Sequence, residues 1–254
     1  MATERSFTGE VRKELIRDAL ARDGAVRIAE LAARLDVSQM TVRRDLDALA
    51  EAGVVHRVRG GAFPVGARPL ADRVEREAAA KAAIARKLVD LVPASGAIGL
   101  DASSTMQYLA TELVGGDAVG GLTVMTNSPE TAQVLRDAPV TALLTGGQID
   151  RRTGSLIGPL ATRSVGAVLL GRLFLSASGV DPVHGSTEAA FEDAEVKQAL
   201  AAVASEVIVA VDHTKLGTPG PVRCLGWSDL SLLVTDLDAD DERLAPYRDH
   251  VEVR

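Results

Sequence analysis

The sequence predicts an α/β protein in two parts: a small winged helix-turn-helix, then a larger domain built on a largely parallel sheet. Three features carry that prediction. Between Val26 and Ala62, two short amphipathic helical patterns, a turn and a Gly-Gly ribbon follow in the order a winged helix requires. Phe63 to Pro69 then interrupts the periodicity with two prolines and a glycine, the composition of a linker. After Pro93, near-continuous apolar runs alternate with helical segments, as in strands buried on both faces. A chain of 254 residues has room for both parts.

Residues from about Thr8 to Arg22 read as a first helix, with Val11, Leu15, Ile16, Ala19 and Leu20 on its apolar face. Ile28, Leu31 and Leu35 give the second helix its stripe, and Asp36-Val37 breaks it. Ser38 is placed to cap a third helix, whose Val42, Leu46 and Leu49 face inward and which Gly53 ends. Its outer face keeps Gln39, Met40, Thr41, Arg43, Arg44 and Asp47. Alternation then sets Val55, Arg57 and Arg59 on one face of a strand, and Gly60-Gly61 suits a tight hairpin turn.

Arginine bonds guanine bidentately or neutralises phosphate, and short polar side chains suit base edges and backbone oxygens. Ser38, Gln39, Thr41, Arg43, Arg44, Arg57 and Arg59 are therefore the expected contacts to double-stranded DNA. The competing reading is a solvated helix face on which Asp47 pairs with Arg43, as surface charges one turn apart commonly do. The coincidence of turn, cap, apolar spacing and wing favours DNA.

The net charge of -7 on its own argues against a general nucleic-acid binder, but its distribution is uneven. Residues 1–60 hold 11 Lys and Arg against 10 Asp and Glu, leaving 17 against 25 for the remainder. A nearly neutral reading head must rely on clustered arginines and on dimerisation. Aromatics make up 3 % of the chain and none interleaves with the basic segment, so stacking on unpaired bases is not expected. His56, His184, His213 and His250 are far apart and Cys224 is the single cysteine, which predicts neither a metal site nor a cofactor nor an internal disulfide. Val165 to Gly171 stops at Arg172, well short of a membrane span, and the start is charged, so a cytoplasmic protein without membrane contact is expected.

Asp72 with Glu75 resembles a capping box that opens one long helix through Ala78, Lys81, Ile84 and Leu88, joining the domains or packing on a second subunit. The expected boundaries are 1–66 for the winged helix-turn-helix, 67–92 for linker and connecting helix, and 93–254 for the α/β domain. Within the latter, strands are expected at 97–100, 123–126, 141–144, 173–176, 207–211 and 232–235. Ligands of open α/β sheets collect at the carboxyl ends of strands. The residues there are small and polar: Asp101, Ser103, Ser104 and Thr105, then Asn127, Gly146 and Gly147, then Asp181, and finally Asp212 and Lys215. Hydroxyls at a helix start and a lysine suit an anionic group. Singly, each has a plainer explanation as a cap, turn residue or solvated side chain.

Two stretches also carry a family resemblance. Ser38-Gln39-Met40-Thr41-Val42-Arg43-Arg44-Asp45-Leu46-Asp47-Ala48-Leu49 and Gly53-Val54-Val55-His56-Arg57-Val58-Arg59-Gly60-Gly61-Ala62 resemble the signature of the DeoR family of bacterial sugar-metabolism repressors. Leu100 to Thr105, Thr126-Asn127-Ser128, Thr145-Gly146-Gly147, Glu195-Val196-Lys197 and Val211 to Lys215 are similar to its sensor domain, so the resemblance spans nearly the whole chain. It implies an effector-sensing domain with the fold of ribose-5-phosphate isomerase and coenzyme A transferases, a phosphorylated sugar or sugar derivative as effector, operator DNA as partner, and a homodimer or homotetramer. The first loop departs from the family's Asp-x-Gly-Thr-Thr, with Ser103 for the glycine and Ser104 for a threonine.

Two other classes compete. A sugar-phosphate isomerase-like enzyme would draw on Asp101, Asp181, Asp212 and Lys215, but it lacks a complete nucleophile constellation and leaves the first 60 residues without a use. In an adaptor, the winged helix would bind protein instead of DNA, which an operator-binding assay separates.

Overall fold

The computed structural model describes residues 9–23, 26–52, 54–58, 60–64, 70–115 and 121–254. The chain forms two compact units, Met1–Ala67 and Arg68–Arg254.

The first unit contains α1 (Gly9–Asp23), β1 (Val26–Arg27), α2 (Ile28–Leu35), α3 (Gln39–Glu51), β2 (Val55–Val58) and β3 (Gly61–Pro64). Ile16, Leu20, Ile28, Leu31, Leu35, Val42, Leu46, Leu49, Val55 and Ala62 share one core. Val11, expected on the inward face of α1, is 48 % exposed, because the apolar face begins a turn later at Leu15 and Ile16. Asp36 takes a left-handed conformation (φ 51°) that turns the chain between α2 and α3. Ser38 caps α3, its hydroxyl accepting from the Thr41 amide at 3.1 Å. Gly53, expected to end that helix, lies outside the described residues.

The wing is a three-stranded antiparallel sheet in the order β1-β3-β2, with Arg57 opposite Ala62. β1 has two residues, too few for alternation to show in sequence. Arg12 on α1 pairs with buried Asp45 on α3, its Nη2 donating to Oδ1 at 2.9 Å, and so ties the first helix to the reading helix.

The second unit opens with α4 (Leu70–Glu75) and α5 (Ala78–Val89). The single long helix expected here is broken at Glu77, which is left-handed (φ 49°). Ile84 and Leu88 of α5, within the expected 67–92 connector, are fully buried in the core of the α/β unit. An Ala-rich helix with that apolar stripe gains more from the sheet than from spanning solvent.

β4 (Gly96–Leu100), α6 (Ser104–Gly115), β5 (Leu122–Thr126), α7 (Pro129–Leu135), β6 (Thr141–Leu144), a hairpin of β7 (Gln148–Ile149) and β8 (Leu156–Ile157), α8 (Pro159–Val165) and β9 (Leu170–Leu175) follow. Then come β10 (Gly179–Asp181), β11 (Gly185–Glu188), α9 (Phe191–Ala202), β12 (Ala204–Ala210), β13 (Val222–Arg223), β14 (Leu232–Val234), α10 (Ala245–Arg248) and β15 (Glu252–Val253).

Seven strands make one sheet in the order β15-β14-β12-β9-β4-β5-β6, with every neighbouring pair parallel. It includes all six strands expected from sequence. One face carries Ile84, Leu88, Met106, Leu109 and Leu113 from α5 and α6, and the other Ala161, Val165, Val196 and Leu200 from α8 and α9. A smaller antiparallel sheet, β10-β11-β13, stands apart from it. The sheet order places the carboxyl ends of β12, β9, β4 and β5 side by side.

Candidate functional site

On the reading head, Ser38, Gln39, Arg43, Arg44 and Asp47 are exposed, Thr41 is half-buried, and Met40 is 57 % exposed. The Ser38 hydroxyl is already used as the helix cap and lies 2.9 Å from Thr41 Oγ1. Among the described residues no acid pairs with Arg43 or Arg44. Asp47 instead pairs with Arg57, Oδ1 to Nε at 3.0 Å, because β2 returns alongside α3. Arg57 Nη1 is buried without a hydrogen-bond partner. Arg59 lies outside the described residues.

In the α/β unit the strand ends converge on Ser176, immediately after β9. Its hydroxyl accepts from Lys215 Nζ at 3.1 Å and is approached by Thr105 Oγ1 at 3.5 Å, while its carbonyl accepts from Lys197 Nζ at 2.8 Å. Asp101, after β4, has no exposed surface. Its Oδ1 accepts from the Ser103 hydroxyl at 2.6 Å and the Ser176 amide at 3.3 Å, and its Oδ2 lies 3.0 Å from Lys197 Nζ. Lys197 also pairs with Glu188, which accepts from Ser178 Oγ at 2.9 Å. Asp212, after β12, takes the Thr214 amide at 3.1 Å, and Lys215 Nζ stands 4.0 Å from its Oδ2.

Ser103 is the cap of α6, its hydroxyl accepting from the Met106 amide at 3.2 Å, so the side chain that replaces a glycine is committed within the loop. Ser104 and Thr105 form the first turn of α6 and are buried. No described hydrogen bond engages the Ser104 hydroxyl. Asn127 is buried, with Nδ2 donating to the Leu156 carbonyl at 3.2 Å and Oδ1 without a partner. The Gly146 amide donates to Ser164 Oγ at 3.2 Å. Gly147 has φ 135°, and a Cβ there would fall 2.8 Å from the Ile157 carbonyl, so no other residue fits. These two glycines shape the turn into the β7–β8 hairpin and share no described contact with the Ser176 cluster.

Asp181 does not join the cluster. Its Oδ1 accepts from the Val183 and His184 amides at 2.9 and 2.8 Å and so forms the turn between β10 and β11, a geometry that Asp followed closely by Pro182 favours.

Sequence reasoning missed Arg73 and Lys81, which sat in the expected connector. Ser176, Glu188 and Lys197 also went unassigned as site residues; among these the family pattern marked only Lys197. Arg73 on α4 reaches the carbonyls of Ala102 and Thr153 at 3.5 and 3.3 Å. Lys81 on α5, buried, donates to the carbonyls of Arg73 at 2.7 Å and Arg76. Burial, reinforced by Lys215, pushes Lys81 down to about 8. Burial likewise lowers Lys215 from the ordinary lysine range, against the pull of Asp212. It would lower Lys197 too, but Glu188 and Asp101 outweigh it and hold that ammonium charged.

The cations thus divide. Lys197 is neutralised by two carboxylates, whereas Lys215 has one carboxylate at long range and 24 % of its side chain open. A positive group on an open strand end beside a helix N-terminus is suited to an anion.

Residues 12–64 match the DeoR-like helix-turn-helix domain and residues 76–237 the DeoR C terminal sensor domain. The chain belongs to the DeoR family. It is 34 % identical to the HTH-type transcriptional regulator GolR of Listeria innocua serovar 6a over 89 % of each chain. It is 27 % identical to the glycerol-3-phosphate regulon repressor of Haemophilus influenzae, over 89 % of this chain and 88 % of that one. Among solved structures, a D-ribose-5-phosphate isomerase in complex with phospho-erythronic acid superimposes with a TM-score of 0.40 at 16 % identity, over 54 % of this chain and 52 % of that one. This DeoR-family chain is accordingly a DNA-binding transcriptional regulator with a sensor domain. Among its described residues, no helix is long and apolar enough to cross a membrane.

Proposed function

We propose that this regulator represses carbohydrate-metabolism genes by binding operator DNA through α3 and the wing, and that a phosphorylated sugar or sugar derivative at the Ser176 cluster controls that binding. The observation that carries the effector class is Lys215, whose side chain is 24 % exposed and whose ammonium donates to Ser176 at 3.1 Å beside the first turn of α6. Ser104, Thr105 and Lys215 hold the anionic group, with Asp101 and Asp212 orienting the loops around it. Asn127, at the end of β5 with its Oδ1 free of a partner, and the turn at Gly146 and Gly147 are proposed for the sugar end of the effector, away from the Ser176 cluster. The repressor reading draws on relatives named for a glycerol-3-phosphate regulon and a lactose phosphotransferase system. The protein acts in the cytoplasm as a homodimer or homotetramer, which would cover Leu144, Ile149 and Leu160, 47–62 % exposed in and around the sheet's β6 edge.

Relatives named as transcriptional regulators and repressors support reading the domain as a sensor and not an enzyme. Asp101 is held by Ser103, Ser176 and Lys197, Asp212 by Thr214 and Lys215, and Asp181 by its own turn, roles in keeping with shaping the loops of a sensor site.

The test is thermal unfolding with a panel of pentose, hexose and triose phosphates and their unphosphorylated parents, followed by operator titration with each compound that raises the Tm. A ligand of the native state must raise it by mass action. The expected result is stabilisation by a phosphorylated compound only, with a change in operator affinity of about 5- to 150-fold. Stabilisation by the unphosphorylated parent alone would refute the anion reading.

A further inference from the structure

We propose that Arg73 is a further ligand of the effector's anionic group, and that the exchange of its carbonyl contacts for that group moves α4 and thereby couples the site to the DNA-binding unit. The proposal rests on the reading of the Ser176 cluster as an effector site.

Arg73 is a guanidinium without a matched partner. Its two described hydrogen bonds, at 3.5 and 3.3 Å, go to neutral carbonyls and are long for a charged donor, and its buried Nε has none. The carboxylates that surround it are already engaged: Asp101 and Glu188 with Lys197, Asp193 with Ser155 at 3.2 Å, and Glu130 with Ser128 at 3.2 Å. A half-buried cation whose Nε is buried without a partner is costly, and a phosphate accepting two parallel N–H bonds would relieve it. Ala102 belongs to the same loop as Asp101, Ser103 and Ser104, so Arg73 already grips the backbone of the anion loop.

α4 is six residues long, too short to persist without tertiary contacts. Polar bonds to its backbone hold it: Lys81 on the carbonyls of Arg73 and Arg76, and Tyr108 Oη on the Val74 carbonyl at 3.2 Å. Tyr108 lies on α6, the helix that begins with Ser104 and Thr105. α4 is also the first described element after residue 64. A device that binds weakly through side chain to backbone bonds, at the point where the chain enters the sensor, can have two discrete positions.

The experiment uses full-length protein, with inorganic phosphate, glycerol 3-phosphate and D-glucose 6-phosphate as probes, and a duplex selected from random DNA by the wild type. Arg73→Gln and Arg73→Ala should weaken binding of the phosphate probes roughly 10- to 100-fold, measured by calorimetry on variants shown to be folded. Tyr108→Phe should bind the probes as wild type does, yet lose at least half of the fold-change that they impose on DNA affinity. Lys215→Ala tests the underlying site. Lost probe binding in Lys215→Ala, with wild-type affinity and coupling in both Arg73 variants, overturns the role of Arg73 and leaves the site standing. A lowered Tm in the Arg73 variants with unchanged probe affinity shows a merely structural arginine and overturns it as well. If neither wild type nor any variant binds a phosphate probe, the site reading fails and the proposal with it.

Discussion

Lys197 Nζ on α9 lies 3.0 Å from Asp101 Oδ2 at the end of β4, and the same ammonium pairs with Glu188 on β11. One buried cation thus joins the parallel sheet, the helix over it and the smaller antiparallel sheet. Removing it leaves two buried carboxylates uncompensated. Lys197→Met should cost about 3 to 5 kcal/mol in urea unfolding. A loss below about 1 kcal/mol would mean that the two acids take up protons or water without penalty.

Arg43 and Arg44 are exposed on the face of α3 opposite Val42, Leu46 and Leu49. Either Ala variant should keep the wild-type Tm and lose about 1 to 3 kcal/mol of operator affinity, with relaxed preference at one base pair if the arginine reads guanine. Undiminished affinity in both would remove α3 as the reading helix.

Arg57 is held by Asp47, which competes with phosphate for its charge. Asp47→Ala should therefore tighten binding to all duplexes alike. Arg57→Ala combined with Arg59→Ala should shallow the dependence of log affinity on log salt by up to about 1.8, the value for two phosphate contacts. A changed sequence preference at constant salt slope would contradict a wing on the backbone.

Lys81 titrates at about 8 in the folded chain because it is buried. Its folded value lies below its unfolded one, so between about pH 8 and 10.5 the unfolded chain binds the extra proton. The destabilising contribution of the charged form is complete below pH 8 and fades as pH rises through that window. Stability of wild type relative to Lys81→Met should accordingly rise from pH 8 to 10.5, by at most about 3 kcal/mol. A flat difference across that range would show that the Arg73 and Arg76 carbonyls compensate the buried charge.

The winged helix was legible because its information is local. A cap at Ser38, apolar spacing at Val42, Leu46 and Leu49, and glycines at 60 and 61 act through neighbours within a few residues. The parallel sheet was legible for a related reason, since strands covered on both faces must be apolar throughout. The family pattern brought Lys197 into view without a role.

Only the tertiary structure decided what the charged residues do. Asp101 and Asp181 look alike in sequence, each following an apolar run. One is buried against Lys197 and Ser176, and the other folds back on its own turn. Asp47 is spaced to meet Arg43 along the helix but meets Arg57, because β2 brings a second arginine across to it. Arg73 and Lys81 fall within the expected connector, and the break at Glu77 together with the burial of Ile84 and Leu88 places them in the second unit. Periodicity reports which face of an element is buried, whereas an ion pair depends on which elements meet, and that is set by the packing of residues far apart in the chain.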